Sequence, residues 1–379
     1  MKIALIKLGC RLAYGSTCKS GGVLEALAVV KMMNKAGIDV DIYDRILDKD
    51  DKPDSDKVHI YDIFTEWENI NNRSYDALIV LNGNVTYFGG EDRPHETLKY
   101  CILNKFDGQV FYVIGDFNLI LTQIYEAVIP KPWSSNYNID DIKITRKDII
   151  YISQGQLTNS LKLFVNNSKS RNTVKIKNVV YFPLEKFPFL VLDRKFNENP
   201  EYDIIYGGNF RSGKREDDMI KYYFGYPEDI KVKMFGHIKL SDFTSKKIEN
   251  LRAPEIDTQA YDYIRYCDEL HKSKSLVIIG DKADKQFYKI AARVYECVSM
   301  GVIIFIDKNL DFDKKIFKNQ ELRDFCYVSS REEIEERLKK LDDVEYRRHL
   351  ANLQWNDTYE DMSEYANSFK KLLEDNINA

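Results

Sequence analysis

Short runs that are apolar almost throughout, separated by stretches of helical spacing, set the strongest limit on this chain. Ala77–Leu81 reads ALIVL, Gln109–Ile114 reads QVFYVI and Val302–Asp307 reads VIIFID. A strand with one wet face alternates apolar and polar residues. A strand apolar on both faces needs cover on both sides, which parallel sheets flanked by helices provide. In the first half, Met1–Lys7, Ile38–Tyr43, Ile149–Ile152 and Lys177–Phe182 join the two apolar runs there as expected strands. Leu24–Ala36 has helical spacing and stops at Gly37. A second series begins near Tyr202, with strands expected at Asp203–Tyr206, Lys231–Phe235, Ser275–Ile279 and Val302–Asp307. Helices are expected at Arg215–Phe224, Tyr288–Ser299 and Arg331–Leu341. The Pro-bearing segment Phe187–Pro200 reads as a linker. The tail from Tyr359 to Leu373 is an amphipathic helix with Tyr365, Phe369 and Leu373 on one face. The fold class is therefore α/β, with two doubly wound sheets, and ligands are expected at the strand C-termini.

The size agrees, since 379 residues at about 150 per domain make two or three domains. Lys plus Arg is 56 against 60 Asp plus Glu, a net charge of −4, which excludes a basic coat over the whole surface but not a local basic groove. No apolar run approaches the roughly 18 residues of a membrane span, and the start, MKIALIKLGCRLAYG, does not read as a signal peptide. The six Cys, at 10, 18, 101, 267, 297 and 326, form no CxxC pair and read as reduced cytosolic thiols. The five His are scattered and form no ligand pair. The Asp-rich stretch Asp44–Asp56 is a solvated loop to which no function is given.

The sharpest local feature is IIYGGNFRSGKRED, Ile204 to Asp217. A strand ends at Tyr206, Gly207–Gly208 turns the chain, and a helix is expected to begin near Gly213. Free backbone N–H groups, Arg211 and Arg215 would then meet at a helix N-terminus, where anions bind. A surface turn with solvated arginines is the plain alternative. Gly208, Gly213 and Lys214 have Walker spacing, but Arg215 stands where a magnesium-ligating Ser or Thr belongs. A diphosphate cradle of another type is favoured over a P-loop.

Asp281 follows the apolar run LVIIG, and Arg293 and Glu296 lie three apart on one helix face. They are either an ordinary charge pair or a nucleotide clamp, with Arg293 on phosphate and Glu296 accepting from ribose hydroxyls. Asp116 follows the strand QVFYVIG and is either a helix cap or a general base. Glu25, early in the first helix, is either a first-turn acid or a cleft residue. Leu157 to Leu184 has no acid but carries Lys162, Lys169, Arg171, Lys175 and Lys177, a local phosphate-contacting face in an otherwise acidic chain. Asn84–Gly90 (NVTYFGG) and Pro130–Trp133 (PKPW) put aromatics on loops, either to stack on bases or to pin the loops.

These motifs together resemble the DNA β-glucosyltransferase family of T-even bacteriophages over nearly the whole chain. The blocks MKIALIK, AGIDVDIY, LIVLNGNVTYFGG, GD at 115–116, ISQG at 152–155, YFPLE at 181–185, IYGGNFRSGKRE and IIGDK fall in the family order. The resemblance implies a GT-B fold, with two Rossmann-like domains facing each other across a cleft. Residues 1–190 would bind acceptor DNA and carry the base, 200–355 would bind the UDP-sugar, and 356–379 would form a helix crossing back to the first domain. It implies inverting transfer of a sugar, glucose foremost, to 5-hydroxymethylcytosine in phage double-stranded DNA, protecting it from restriction. By position, Asp116 would be the general base, with Glu25 and Glu185 as further catalytic carboxylates. Gly208, Asn209, Arg211, Arg215, Asp281, Arg293 and Glu296 would bind the UDP-sugar. Asn84, Tyr87, Phe88, Gly89, Gly90 and Asn118 would contact DNA, with the target base flipped out of the duplex. Mg2+ or Mn2+ would assist, although nothing reads as a dedicated metal cage. A monomer in the cytoplasm of the infected bacterium is expected, with no membrane partner.

The sequence also departs from the family. Asn209 and Lys214 replace Ser and Gln, and Asn118 replaces Arg. Asp257-Thr258-Gln259-Ala260 stands where the uracil loop reads Thr-Gly-Lys-Ile, and one extra residue lies between Asp281 and Arg293. A changed sugar pocket leaves two alternatives within the enzyme class, a pentose donor such as UDP-arabinose or an already glycosylated acceptor. A non-catalytic protein that binds modified DNA is the remote one.

Overall fold

The structure, a computed structural model, describes residues 1–6, 21–44, 58–62, 66–81, 105–114, 146, 148–153, 179–208, 216–238, 242–259, 261–280, 290–311 and 316–377. Contacts divide the chain into two units, Met1–Leu184 with Asp361–Ala379, and Glu185–Glu360.

The first unit holds a sheet of seven strands in the order β3-β2-β1-β4-β5-β6-β7. These are β1 (Lys2–Ile6), β2 (Asp39–Asp44), β3 (Val58–Asp62), β4 (Ala77–Leu81), β5 (Gln109–Ile114), β6 (Ile150–Ser153) and β7 (Val179–Tyr181). Every pairing is parallel. Val58–Asp62 went unread in the sequence because it is a short edge strand with His59 and Asp62 breaking its apolar pattern. Between β1 and β2 runs α1 (Gly21–Lys35). It ends in a Schellman closure, with Gly37 N donating to Asn34 O at 3.1 Å and Ile38 N to Met33 O at 2.9 Å. Gly37 takes φ +71°, a conformation that a side chain would disfavour.

The second unit repeats the plan with six strands, order β10-β9-β8-β11-β12-β13. They are β8 (Tyr202–Gly207), β9 (Val232–Phe235), β10 (Glu255–Asp257), β11 (Ser273–Ile278), β12 (Ile303–Asp307) and β13 (Tyr327–Val328), again all parallel. The crossovers carry α2 (Glu216–Tyr223), α3 (Asp242–Ile248), α4 (Tyr263–His271), α5 (Arg293–Ser299) and α6 (Gln320–Cys326). Then follow α7 (Arg331–Leu341), α8 (Val344–Thr358) and α9 (Met362–Ile377), the last belonging to the first unit. β13 reaches only Ile306 and Asp307 of its neighbour. The backbone beyond the reach of β13 is met by the buried Gln354 side chain, which accepts from Ile304 N at 2.9 Å and donates to Val302 O at 3.1 Å.

Phe187–Pro200, expected as a linker, is instead bound into the second unit. Phe189 sits edge-on to Tyr295 and Trp355, with centroids 5.4 and 5.3 Å away. Lys195 N donates to Ser299 O at 2.7 Å, and the Arg347 guanidinium donates to Glu198 O at 2.8 Å. Its prolines and aromatics serve packing rather than a flexible hinge. The helix expected over Arg215–Phe224 is α2, described over Glu216–Tyr223, and Glu216, Asp217 and Asp218 in its first turn are favoured by the helix dipole.

The C-terminal helix α9 buries the face read from the sequence, with Tyr365, Phe369 and Leu373 at 1 % exposure or less. The Tyr365 hydroxyl donates to Pro183 O at 2.7 Å, and the Phe369 ring lies 4.9 Å from that of Phe182. Full removal of a buried Phe side chain leaves a cavity, so Phe369→Ala is expected to lower the stability of the first unit by about 3–5 kcal/mol. Urea denaturation of the whole chain, followed by a probe in α1 or α9, measures it.

Candidate functional site

In an open parallel sheet the ligand crevice lies beyond the strand C-termini where the strand order reverses. In the second unit this point falls between β8 and β11. β8 ends in Gly207, and Gly208 follows with φ +135°. Gly207 is dictated by space, since a Cβ there would come within 2.6 Å of the Phe235 ring and 2.7 Å of the Tyr266 ring. At Gly208 a Cβ would run into the Arg293 guanidinium, so the backbone and that side chain lie in direct apposition. Gly208 N donates to Phe235 O at 2.9 Å, which ties the turn to the end of β9.

α5 delivers Arg293 and Glu296 to this place. The Arg293 guanidinium carbon lies 5.0 Å from the centre of the Tyr206 ring. Arg293 Nε donates to the Tyr266 hydroxyl at 3.2 Å, and that hydroxyl donates to Glu296 Oε2 at 3.2 Å. Arg293 and Tyr266 are half-buried, whereas Glu296 is buried. Tyr206 packs edge-on to Tyr223 at 5.2 Å, and the Tyr223 hydroxyl donates to Val277 O of β11 at 2.6 Å. The Tyr263 and Tyr266 rings stack at 6.2 Å.

Burial pushes the Glu296 carboxyl up, against the opposing pull of Arg293 and of the Tyr266 and Tyr263 hydroxyls. Burial works against the Arg293 charge too, but Tyr266, Tyr206 and Glu296 outweigh it and hold the guanidinium protonated. Burial likewise pushes up the free thiols Cys267, Cys297 and Cys326, which leaves them protonated and poorly nucleophilic.

The structure thus brings Gly208, Arg293 and Glu296 together. Glu185 is buried on the short helical turn Leu184–Lys186. Glu25 is placed on α1 by its backbone. Asp116, Asn209, Arg211, Arg215, Asp281, Asn84, Tyr87, Phe88, Gly89, Gly90 and Asn118 lie outside the described residues, as do the basic run 162–177 and Pro130–Trp133. At the end of β10, the Asp257 carboxylate accepts from the Tyr261 hydroxyl and from Gln259 N, and Tyr261 packs on Phe235 at 5.6 Å. Sequence reasoning missed Tyr206, Phe235, Tyr263 and Tyr266. Their only signal was aromatic character, at strand ends for Tyr206 and Phe235 and on a helix for Tyr263 and Tyr266, which core packing produces equally well.

A pocket of about 160 Å³ lined by Tyr202, Tyr226, Arg252 and Glu255 lies at the opposite, N-terminal end of β8–β10. It is smaller than the roughly 300 Å³ at which small-molecule sites begin, and it is remote from Gly208. Among the described residues, no group of three or more His, Cys, Asp or Glu could hold a metal ion, and no helix is long and apolar enough to cross a membrane.

Residues 1–188 match the sequence model of the family described as bacteriophage T4 β-glucosyltransferase. The DNA β-glucosyltransferase of Enterobacteria phage T4 is 25 % identical over 380 aligned residues, covering 99 % of this chain and all of the relative. The likeness to the T4 β-glucosyltransferase family thus covers residues 1–188 by the family model and nearly the whole chain by the T4 relative. Members of this family are glycosyltransferases, and this chain is one. The T4 phage enzyme solved with UDP and Mn2+ superposes with a TM-score of 0.72 at 23 % identity, covering 98 % of this chain and 99 % of that one. Its complex with UDP-glucose gives 0.71 at 21 % identity, with full coverage of both chains. These likenesses make the fold GT-B, in agreement with the resemblance read from the motifs.

The raised Glu296 carboxyl carries a stability signature. Its folded state favours the neutral acid. The contribution is therefore fully present below the ordinary carboxylic range, about pH 4.3, and is lost as pH rises through the raised value. Glu296→Gln removes that dependence. Urea denaturation at stepped pH should show the variant gaining on the wild type as pH rises through this window.

Proposed function

We propose that this glycosyltransferase moves glucose from UDP-glucose to the hydroxymethyl group of 5-hydroxymethylcytosine in double-stranded DNA, with inversion at the anomeric carbon. The observation that carries this reading is the apposition of Gly208, Arg293 and Glu296 at the strand-order reversal of the second unit. A protonated guanidinium beside an open backbone turn suits a diphosphate. A buried carboxylate three residues further along the same helix suits a ribose diol. The T4 relative is named for transfer of glucose to DNA, and the sugar nucleotide in the solved complex is UDP-glucose.

In the proposed reaction the hydroxymethyl oxygen attacks the anomeric carbon while the bond from that carbon to the UDP oxygen breaks. The hydroxyl proton passes to the Asp116 carboxylate, because an alcohol is a poor nucleophile at neutral pH. In sequence, Asp116 comes two residues after the end of β5. The electron pair leaves on the diphosphate, whose growing charge Arg211, Arg215 and Arg293 stabilise. Asp281, Glu185 and Glu25 contact the sugar or shape the cleft, and Gly208 and Asn209 line the diphosphate. Asn84, Tyr87, Phe88, Gly89, Gly90 and Asn118 hold the DNA, and the target base leaves the stack to reach the cleft. The T4 enzyme has been solved with Mn2+; an assisting Mn2+ or Mg2+ belongs to the proposal here. Among the described residues, no group of three or more His, Cys, Asp or Glu could hold such an ion. The enzyme would work as a monomer inside the infected bacterium. A pentose donor finds no support among these relatives.

Asp116→Asn keeps the shape and removes the base. It should lower the rate of glucose transfer from labelled UDP-glucose to 5-hydroxymethylcytosine DNA by about 10²–10⁴-fold while UDP binding persists. Full transfer by the variant would contradict the assignment.

A further inference from the structure

We propose that Tyr266 is a positioning residue that couples the two halves of donor recognition, one hydroxyl fixing Arg293 for the diphosphate and Glu296 for the ribose. This inference rests on the proposed donor site. A tyrosine hydroxyl has one proton to donate and lone pairs to accept. Here the proton goes to Glu296 Oε2 and a lone pair receives Arg293 Nε–H, both at 3.2 Å. Burial holds this hydroxyl far above its ordinary range, so it stays protonated and keeps donating.

The geometry assigns the bond to orientation rather than to charge. Arg293 is anchored through Nε, which leaves the terminal nitrogens to face the turn at Gly208. Glu296 is anchored to Tyr266 through Oε2. Arg293 and Glu296 sit three residues apart on α5, and a direct ion pair would turn both heads toward each other. The interposed hydroxyl keeps each head satisfied while it points elsewhere. Tyr266 is itself fixed from outside α5. It stands on α4, which Asp262 caps by accepting from Arg265 N at 2.9 Å. Its ring stacks on Tyr263 and packs against Phe235, with centroids 6.2 and 5.4 Å away. Gly207 leaves the room this ring occupies. The hydroxyl therefore joins α4, α5 and the ends of β8 and β9 into one donor platform.

Tyr266→Phe removes the hydroxyl and keeps the ring, so the packing under Gly207 survives. Tyr226→Phe is the control. It deletes another buried hydroxyl, one that donates to Tyr222 O at 3.0 Å away from this cluster. Affinities for UDP, UMP and 2′-deoxy-UDP, by calorimetry on the full chain, separate the possibilities. For the wild type, UDP should bind at least tenfold tighter than either analogue. In Tyr266→Phe both preferences should shrink about fivefold or more, together, while thermal stability follows the control. Loss of one preference alone, or equal weakening of all three ligands, would overturn the coupling role and leave Tyr266 as packing. A wild type that binds none of the three would instead defeat the donor-site reading, and the coupling with it.

Discussion

The parallel pairing of β8 with β11 is the constraint on which the site depends. Ile204 lies opposite Ser275 and Ile205 opposite Leu276, so the two strands run out side by side. From β8 the chain crosses to β9, and from β11 it crosses the other way to β12. The two connections diverge at this point. Gly207–Gly208 turns there, and α5 returns to it with Arg293 and Glu296. The first unit has the same reversal between β1 and β4, next to β5. In the second unit this topology brings Gly208 to the Arg293–Glu296 pair, far from it in sequence.

Within the donor site, desolvation and pairing oppose each other. Taking Glu296 out of water disfavours its charge, and Arg293 with the tyrosine hydroxyls restores only part of the loss. Such a carboxyl gains most when a ligand supplies further hydrogen-bond donors. The arginine has the opposite balance, because its neighbours more than offset burial and its charge is permanent. An anion therefore meets a fixed positive charge, while a diol meets a carboxylate that its own hydroxyls help to ionise. The low local dielectric strengthens both contacts.

Much of this was legible in the sequence because central strands carry their own signature. Ala77–Leu81 and Gln109–Ile114 stand within the observed strand bounds residue for residue. Both are central strands, and both are apolar apart from Gln109. The strands that escaped, Val58–Asp62, Glu255–Asp257 and Tyr327–Val328, are short strands at the sheet edges. Their order comes from the neighbouring strand rather than from their own pattern. Phe187–Pro200 misled for a related reason, since prolines and charges suggest a linker while its burial depends on Tyr295, Trp355 and Arg347, all distant in sequence. At the site, charged residues at strand ends and the glycine pair were visible. Tyr266 was not, because its role comes from a meeting of α4 with α5 that no local spacing encodes.

The most direct test of the account is the mass of nucleosides recovered from duplex DNA containing 5-hydroxymethylcytosine after incubation with this protein and a single sugar nucleotide. The account predicts a hexose added to hydroxymethylcytidine with UDP-glucose, and no addition on plain cytosine DNA. A pentose added from UDP-arabinose with no hexose from UDP-glucose, or no addition from any donor, would contradict it.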